Sequence, residues 1–305
     1  MTRKILLTTA LLTPPALADD FSFDLPPLLA QVVNPADAQR RPFTQPEAPP
    51  ERLRSFELPP VTVVAEKTSD FKEEDRIGSY AQPRWTATRR FTSTRVYVVP
   101  ENKVEFEYWL RPTINKDGST ETRSLYELEL GLPHRFQLDL YLRTDQDGDT
   151  GDMLLGEQIE VRWAFADWGK LPGNPTVYFE YVMLEDRPDK IEPKLLLGGQ
   201  LAPRWHWGAN LVAEIELGGP RSHEYQLTGA LSYTLIDSKL SVGGESQLIL
   251  TDIAGNRGNF TTEVLLGPSV QFRPLPQMTI NFAPLVGLTD DSPDAQIYLN
   301  IGWEF

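Results

Sequence analysis

From residue 101 to the carboxyl terminus, apolar and polar residues alternate at nearly every step. The first stretch places Val104, Phe106, Tyr108 and Leu110 on one parity and Glu105, Glu107 and Arg111 on the other. An extended chain sends successive side chains to opposite faces, so this pattern predicts a strand greasy on one side and charged on the other. Eleven further segments repeat it. Tyr126, Leu128 and Leu130 oppose Glu127 and Glu129; Leu138, Leu140 and Leu142 oppose Asp139 and Arg143; Ile159, Val161 and Trp163 oppose Glu160 and Arg162. The last segment carries Ile297, Leu299, Ile301, Trp303 and Phe305 on its apolar face. Each runs to about nine to thirteen residues, the length a tilted strand needs to cross a bilayer.

The connections alternate as well. Brief turns at 133–134, 202–203, 236–238 and 273–276 fall at one end of the predicted strands. The stretches 113–121, 144–156, 185–191, 218–222, 251–259 and 289–293 fall at the other and are mostly longer and rich in Asp, Asn and Gly. Short inner turns and longer outer loops are the habit of transmembrane barrels, and a soluble sandwich has no reason to follow it. The stretch 167–175 breaks the rule, being long on the short-turn side. Twelve strands, an even number, put both termini at the short-turn end, expected to be periplasmic.

Composition narrows the chemistry. The chain has no cysteine and only three histidines, so thiol catalysis, disulfides and a thiolate metal site are excluded and a zinc site is disfavoured. A formal charge of -14 argues against nucleic acid as a partner. The one continuous apolar run, residues 5–12, follows Arg3 and Lys4 and leads to Ala16-Leu17-Ala18, the layout of a secretory signal peptide over 1–18. Residues 19–100 are dense in proline and read as a semi-rigid periplasmic tether.

Charged positions on the inward parity form the candidate lumen: Glu105, Glu107, Arg111, Glu127, Glu129, Asp139, Arg143, Glu160, Arg162, Glu180, Glu214, Glu216, Glu245 and Glu263. Acid outnumbers base, so an open lumen would favour cations. The other reading is an interior filled by Glu–Arg pairs that conducts nothing, since twelve strands lie between small filled barrels and wide porins. The outer loop D-Q-D-G-D-T-G-D places Asp145, Asp147, Asp149 and Asp152 where carboxylates can surround calcium, although flanking helices are missing and a solvated acidic turn explains it too. His206 and His223 have no outward serine partner at matching depth, so a hydrolytic site on the barrel wall is not expected.

Three stretches resemble known families. The closing strand, ending in Trp303 and Phe305, resembles the terminal strand of Gram-negative outer-membrane barrels, which implies recognition of those residues by the barrel assembly machinery. The run L-P-P-V-T-V-V-A-E-K, containing Val61, Thr62, Val63 and Val64, resembles a TonB box, which implies strand addition to a TonB-like periplasmic partner. Residues 89–111, with Y-E-L-E-L-G-L-P-H-R at 126–135, resemble putative outer-membrane transporters of the "meta-pathway of phenol degradation" type, which implies movement of small, hydrophobic molecules. The expected architecture is an all-β, twelve-stranded antiparallel transmembrane β-barrel over 101–305, embedded in outer-membrane lipid. Its expected role is a channel or transporter for a small solute, hydrophobic or cationic, with no enzymatic activity. The alternative is a non-conducting binding or scaffold barrel whose N-terminal segment recruits a periplasmic partner.

Overall fold

The computed structural model of the chain describes residues 72–305. The expected signal peptide, the proline-rich stretch up to residue 71 and the TonB-box-like Val61 to Val64 lie outside the described residues. A two-residue ladder pairs β1 (Arg76–Ile77) with β2 (Gln82–Pro83), and a 3-10 turn follows at Arg84–Thr86. The twelve remaining strands are β3 (Val104–Ile114), β4 (Thr120–Leu132), β5 (Phe136–Asp147), β6 (Met153–Ala164), β7 (Thr176–Leu184) and β8 (Lys190–Ala202), then β9 (Trp205–Glu216), β10 (His223–Ile236), β11 (Leu240–Asp252), β12 (Thr261–Leu275), β13 (Met278–Gly287) and β14 (Ala295–Glu304). Every neighbouring pair is antiparallel and sequential, and β14 closes the barrel on β3.

The register follows the predicted parity. Trp303 pairs Phe106, which pairs Leu128, which pairs Leu140, all on the outer face. Glu107, Glu127 and Tyr141 run in step on the inner one. A slip of one residue would send the carboxylates to the outside, so the alternation fixes the pairing. Pro268 and Pro284 lack the donor a ladder needs, and the β12–β13 pairing lapses between Leu266↔Val286 and Val270↔Phe282 with its register kept, shifting only between Phe272 and Leu275. The exterior is a belt of exposed apolar side chains such as Phe179, Leu211, Leu227, Leu266 and Val286. At the short-turn end it gains aromatics in contact: Trp163 with Phe136 and Phe165, and Trp205 with Tyr233. A closed sheet with such a surface satisfies its backbone internally and suits lipid.

Strands reach further into the long loops than alternation alone predicted, because turn residues such as Thr120 and Asp147 still find ladder partners. Five to eight residues remain per connection at that end. The exceptional 165–175 connection has a structural reason. Its Trp168 packs edge-on against Trp85 at 5.5 Å and Tyr97 at 5.3 Å, so the loop folds over residues that precede the barrel in sequence.

Candidate functional site

Residues 72–100, read from sequence as part of a periplasmic tether, pack inside the barrel. The chain enters at the short-turn end, rises to Thr92-Ser93-Thr94 near mid-height and returns to start β3. Its base is apolar. Tyr80, Tyr97 and Val98 form a buried cluster with Ala164 on β6, and Val96 and Trp168 pack against it. The wall accommodates this through glycine: a Cβ on Gly198 would fall 2.4 Å from a Val96 methyl, and one on Gly208, its cross-strand neighbour, 2.8 Å.

The rest of the segment is held by polar contacts. Arg89 and Arg90 are adjacent in an extended chain and so reach opposite walls. Arg89 Nε donates to Glu107 Oε2 at 2.8 Å and Nη2 to Glu127 Oε2 at 3.2 Å, with its guanidinium 3.9 Å from the Trp109 ring centre. Arg90 donates to Ser232 at 3.0 Å, Glu73 at 2.9 Å, Gln271 at 3.1 Å and Thr234 at 2.7 Å. Its Nη2 also lies 3.0 Å from Nδ1 of the fully buried His206. Arg95 pairs with Glu127 at 3.0 Å and with Glu129. Its backbone exchanges two bonds of 2.7 Å with the Asn210 side chain, which acts as a borrowed strand partner. At the apex, Glu245 accepts from Thr92 N–H at 2.9 Å, Thr92 Oγ1 at 3.1 Å, and Ser93 N–H and Oγ at 2.6 Å each.

The predicted lumen residues are all on the inner wall. Glu105, Glu107, Glu127, Glu129, Asp139, Glu160, Arg162 and Glu245 are buried at the level of the inner segment. Arg162 pairs with Asp139 at 2.9 Å and with Glu160, and Tyr141 Oη lies 2.7 Å from Glu127 and 2.5 Å from Glu160. Two carboxylate triads, Glu107-Glu127-Glu129 and Glu127-Asp139-Glu160, have the spacing of a metal site. Guanidinium groups of Arg89, Arg95 and Arg162 already meet them, which is what makes so many buried acids tolerable. Glu180 accepts from Tyr178 and pairs with Lys194.

Arg111, Arg143, Glu214 and Glu263 sit higher, around a cavity of about 370 Å³ that opens toward the long-loop end and is floored by Arg89, Thr92, Ser93 and Arg95. Glu216, at the rim, accepts the Ser222 N–H at 2.8 Å. The four aspartates of the second loop separate: Asp145 faces inward and is gripped by Arg123 and Arg143, each at 2.7 Å, while Asp147, Asp149 and Asp152 stay at the turn. There Asp147 accepts the backbone N–H groups of Asp149 and Thr150, each at 2.9 Å. Trp303 is exposed on the outer face, and Phe305 donates its N–H to Val104 O at 3.0 Å. The arginines of the inner segment are the functional residues that strand reasoning missed. The signal was charge: residues 84–95 contain Arg84, Arg89, Arg90 and Arg95 and no acid, in a chain with a large acid excess.

No family model and no curated protein matches the sequence. Solved structures do: a KdgM porin in complex with disordered oligogalacturonate is 9% identical, with 67% of this chain and 99% of that one covered at a TM-score of 0.47. NanC porin is 13% identical, covering 66% and 98% at 0.45, and LpxR from Salmonella typhimurium 8% identical, covering 67% and 100% at 0.41. At these identities the likeness is one of barrel fold.

Proposed function

We propose that the chain is an outer-membrane channel of a Gram-negative bacterium for a small polar solute, shut by its own residues 84–99 and opened when their apex withdraws. The observation that carries this reading is the cavity of about 370 Å³ at the long-loop end, floored by a segment whose apex, Thr92 and Ser93, is bound to Glu245 through polar groups. Water can replace hydrogen bonds of that kind at modest net cost, whereas the aromatic base around Trp85, Tyr97 and Trp168 stays attached. The result is a hairpin hinged at its base. The charged lining favours a polar solute over the hydrophobic one implied by resemblance.

The acidic lumen then has a specific role. With the segment docked, its arginines balance the carboxylates of β3 and β4; with it withdrawn, Glu107, Glu127, Glu129 and Glu245 face an aqueous path and select cations. The filled interior also supports a second reading, a non-conducting scaffold whose N-terminal residues recruit a TonB-like partner. A pull on that terminus would reach the hairpin first.

A reversible lock separates the readings. The hydroxyls of Thr94 and Thr228 meet at 2.9 Å, and the chain has no cysteine of its own, so Thr94→Cys with Thr228→Cys places a single designed disulfide between apex and wall. In planar bilayers the oxidised double variant should be silent and its reduced form should open in bursts. A variant lacking residues 72–99 should conduct steadily and prefer cations. Silence in both the reduced and the shortened protein would refute conduction and leave the scaffold.

A further inference from the structure

The cavity above the inner segment carries opposite charge on opposite walls. Arg111 on β3 and Arg123 on β4 are directly opposed across their ladder, with Arg143 of β5 beside them. Six strands round the closed sheet of twelve, Glu214 on β9 and Glu224 on β10 are also directly opposed, and Glu263 follows on β12. Like charges placed face to face on neighbouring strands destabilise a sheet. Lower in the barrel such pairs are all acidic, as at Glu107↔Glu127 and Glu160↔Glu180; around the cavity they take opposite signs on walls that look at each other.

Local partners do not cancel the arrangement. Arg123 and Arg143 share the one carboxylate of Asp145. Arg111 makes no ion pair within 4 Å among the described residues; its Nε is unbonded, its guanidinium bonds the Tyr298 side chain, and Asp145 and Glu224 attract it from a longer distance. Across the cavity Lys190 meets Glu214, whereas Glu224 and Glu263 make no ion pair within 4 Å among the described residues, Glu224 accepting from Gln226 and attracting Arg111 from a longer distance. No Lys or Arg of β9 to β14 lines the cavity. Three arginines sharing one aspartate thus face three glutamates sharing one lysine, while on β7 and β8 between them Lys194 meets Glu180 and Glu192.

We infer that this vestibule is a binding site for a compact zwitterion, its carboxylate set on Arg111 and Arg123 and its ammonium group on Glu224 and Glu263. The inference rests on reading the cavity as the solute's entrance. A solute of one charge gains at one wall and is repelled by the other, and a neutral solute gains at neither. A zwitterion turned across the barrel collects both terms in a cleft whose walls focus the field. The unfavourable pairings on the two walls, eased in part by Asp145 and Lys190, are relieved further when such a molecule is bound.

Titration calorimetry on the detergent-purified mature chain tests this with three probes: glycylglycine, N-acetylglycine, which lacks the ammonium group, and glycinamide, which lacks the carboxylate. Glycylglycine should bind at least tenfold more tightly than either analogue. Glu224→Gln with Glu263→Gln should bring glycylglycine to the level of N-acetylglycine, whose own binding should hold or tighten as the repulsion goes, and Arg111→Gln should do the same with respect to glycinamide. Because each change removes a repulsion, the unliganded variants should melt at or above the parent temperature, a readout that a misfolded variant fails. Equal binding of N-acetylglycine and glycylglycine, unmoved by the glutamate changes, would overturn the inference in favour of a plain anion site. Conduction by the reduced cysteine variant without any glycylglycine binding would also overturn it while leaving the channel intact; binding without conduction would do the opposite.

Discussion

Glu245→Gln probes the latch at the point where it is most polar. The Glu245 carboxylate accepts four hydrogen bonds from Thr92 and Ser93, at 2.6 to 3.1 Å, two of them from backbone N–H groups. Glutamine has nearly the same shape but offers one acceptor oxygen and an NH2 group that faces donors with a donor. Three of the bonds go to Oε2 and one to Oε1, so a glutamine whose oxygen takes the Oε2 place keeps up to three and loses the Thr92 N–H bond, together with the charge that strengthened the others. Charge-assisted bonds are worth about 1.5 to 3 kcal/mol each, and because the apex borders a wet vestibule the lower figure applies. One bond lost at about 1.5 kcal/mol and three weakened by about 0.5 kcal/mol each as the charge goes give about 3 kcal/mol, which is roughly 150-fold in the ratio of docked to released hairpin. Hydrogen exchange at the Thr92 and Ser93 amides reads that ratio directly, and their protection should fall by about that factor while amides of β3 and β4 keep theirs. In bilayers the same variant should show longer open dwell. Protection within about threefold of the parent would mean that the apex is held by something other than this carboxylate, and the hinged-hairpin argument would fail with it.

Two further outcomes follow from the base of the hairpin. Trp168→Ala removes two edge-to-face ring contacts, with Trp85 and Tyr97, each worth about 0.5 to 1.5 kcal/mol beyond area burial. Trypsin should then cut after Arg89, Arg90 or Arg95 about 30-fold faster if opening precedes cleavage, and an unchanged rate would show that the long 165–175 connection is no latch. Gly198→Ala drives a methyl to 2.4 Å from Val96 Cγ1 and should loosen the hairpin, whereas Gly198→Ala with Val96→Ala should restore it. A double-mutant cycle on amide protection in residues 92–96 should return a coupling of about 1 kcal/mol or more, and strict additivity would place the clash elsewhere.

The barrel interior illustrates how a chain can carry many buried acids. Glu107 and Glu127 are fully buried and lean on the guanidinium groups of Arg89 and Arg95 together, since removing one partner of a buried pair costs about 3 to 5 kcal/mol. The inner segment is thus part of the structure it obstructs. On the proposed reading, the cavity above it supplies the water that would solvate the separated charges on release.

Alternation by itself determined the barrel. Side-chain direction along a strand depends only on odd or even position, so Phe106, Tyr126 and Leu140 could be placed outside, and Glu107, Glu127 and Asp139 inside, without any knowledge of their neighbours. Loop composition placed the turns for the same local reason. Tertiary structure alone decided what fills the lumen. Arg90 meets Ser232 and Gln271 across 142 and 181 residues of sequence, and Arg95 meets Asn210 across 115. No periodicity encodes such contacts, because they exist only once twelve strands have closed and set β9 to β12 opposite β3 and β4. Proline density in the preceding stretch reads as an extended linker whether that linker lies in the periplasm or threads a barrel, since proline constrains the backbone and not its surroundings. The field across the vestibule has the same origin: Arg111 and Glu224 acquire opposite walls from closure, a property of the ring that neither strand possesses alone.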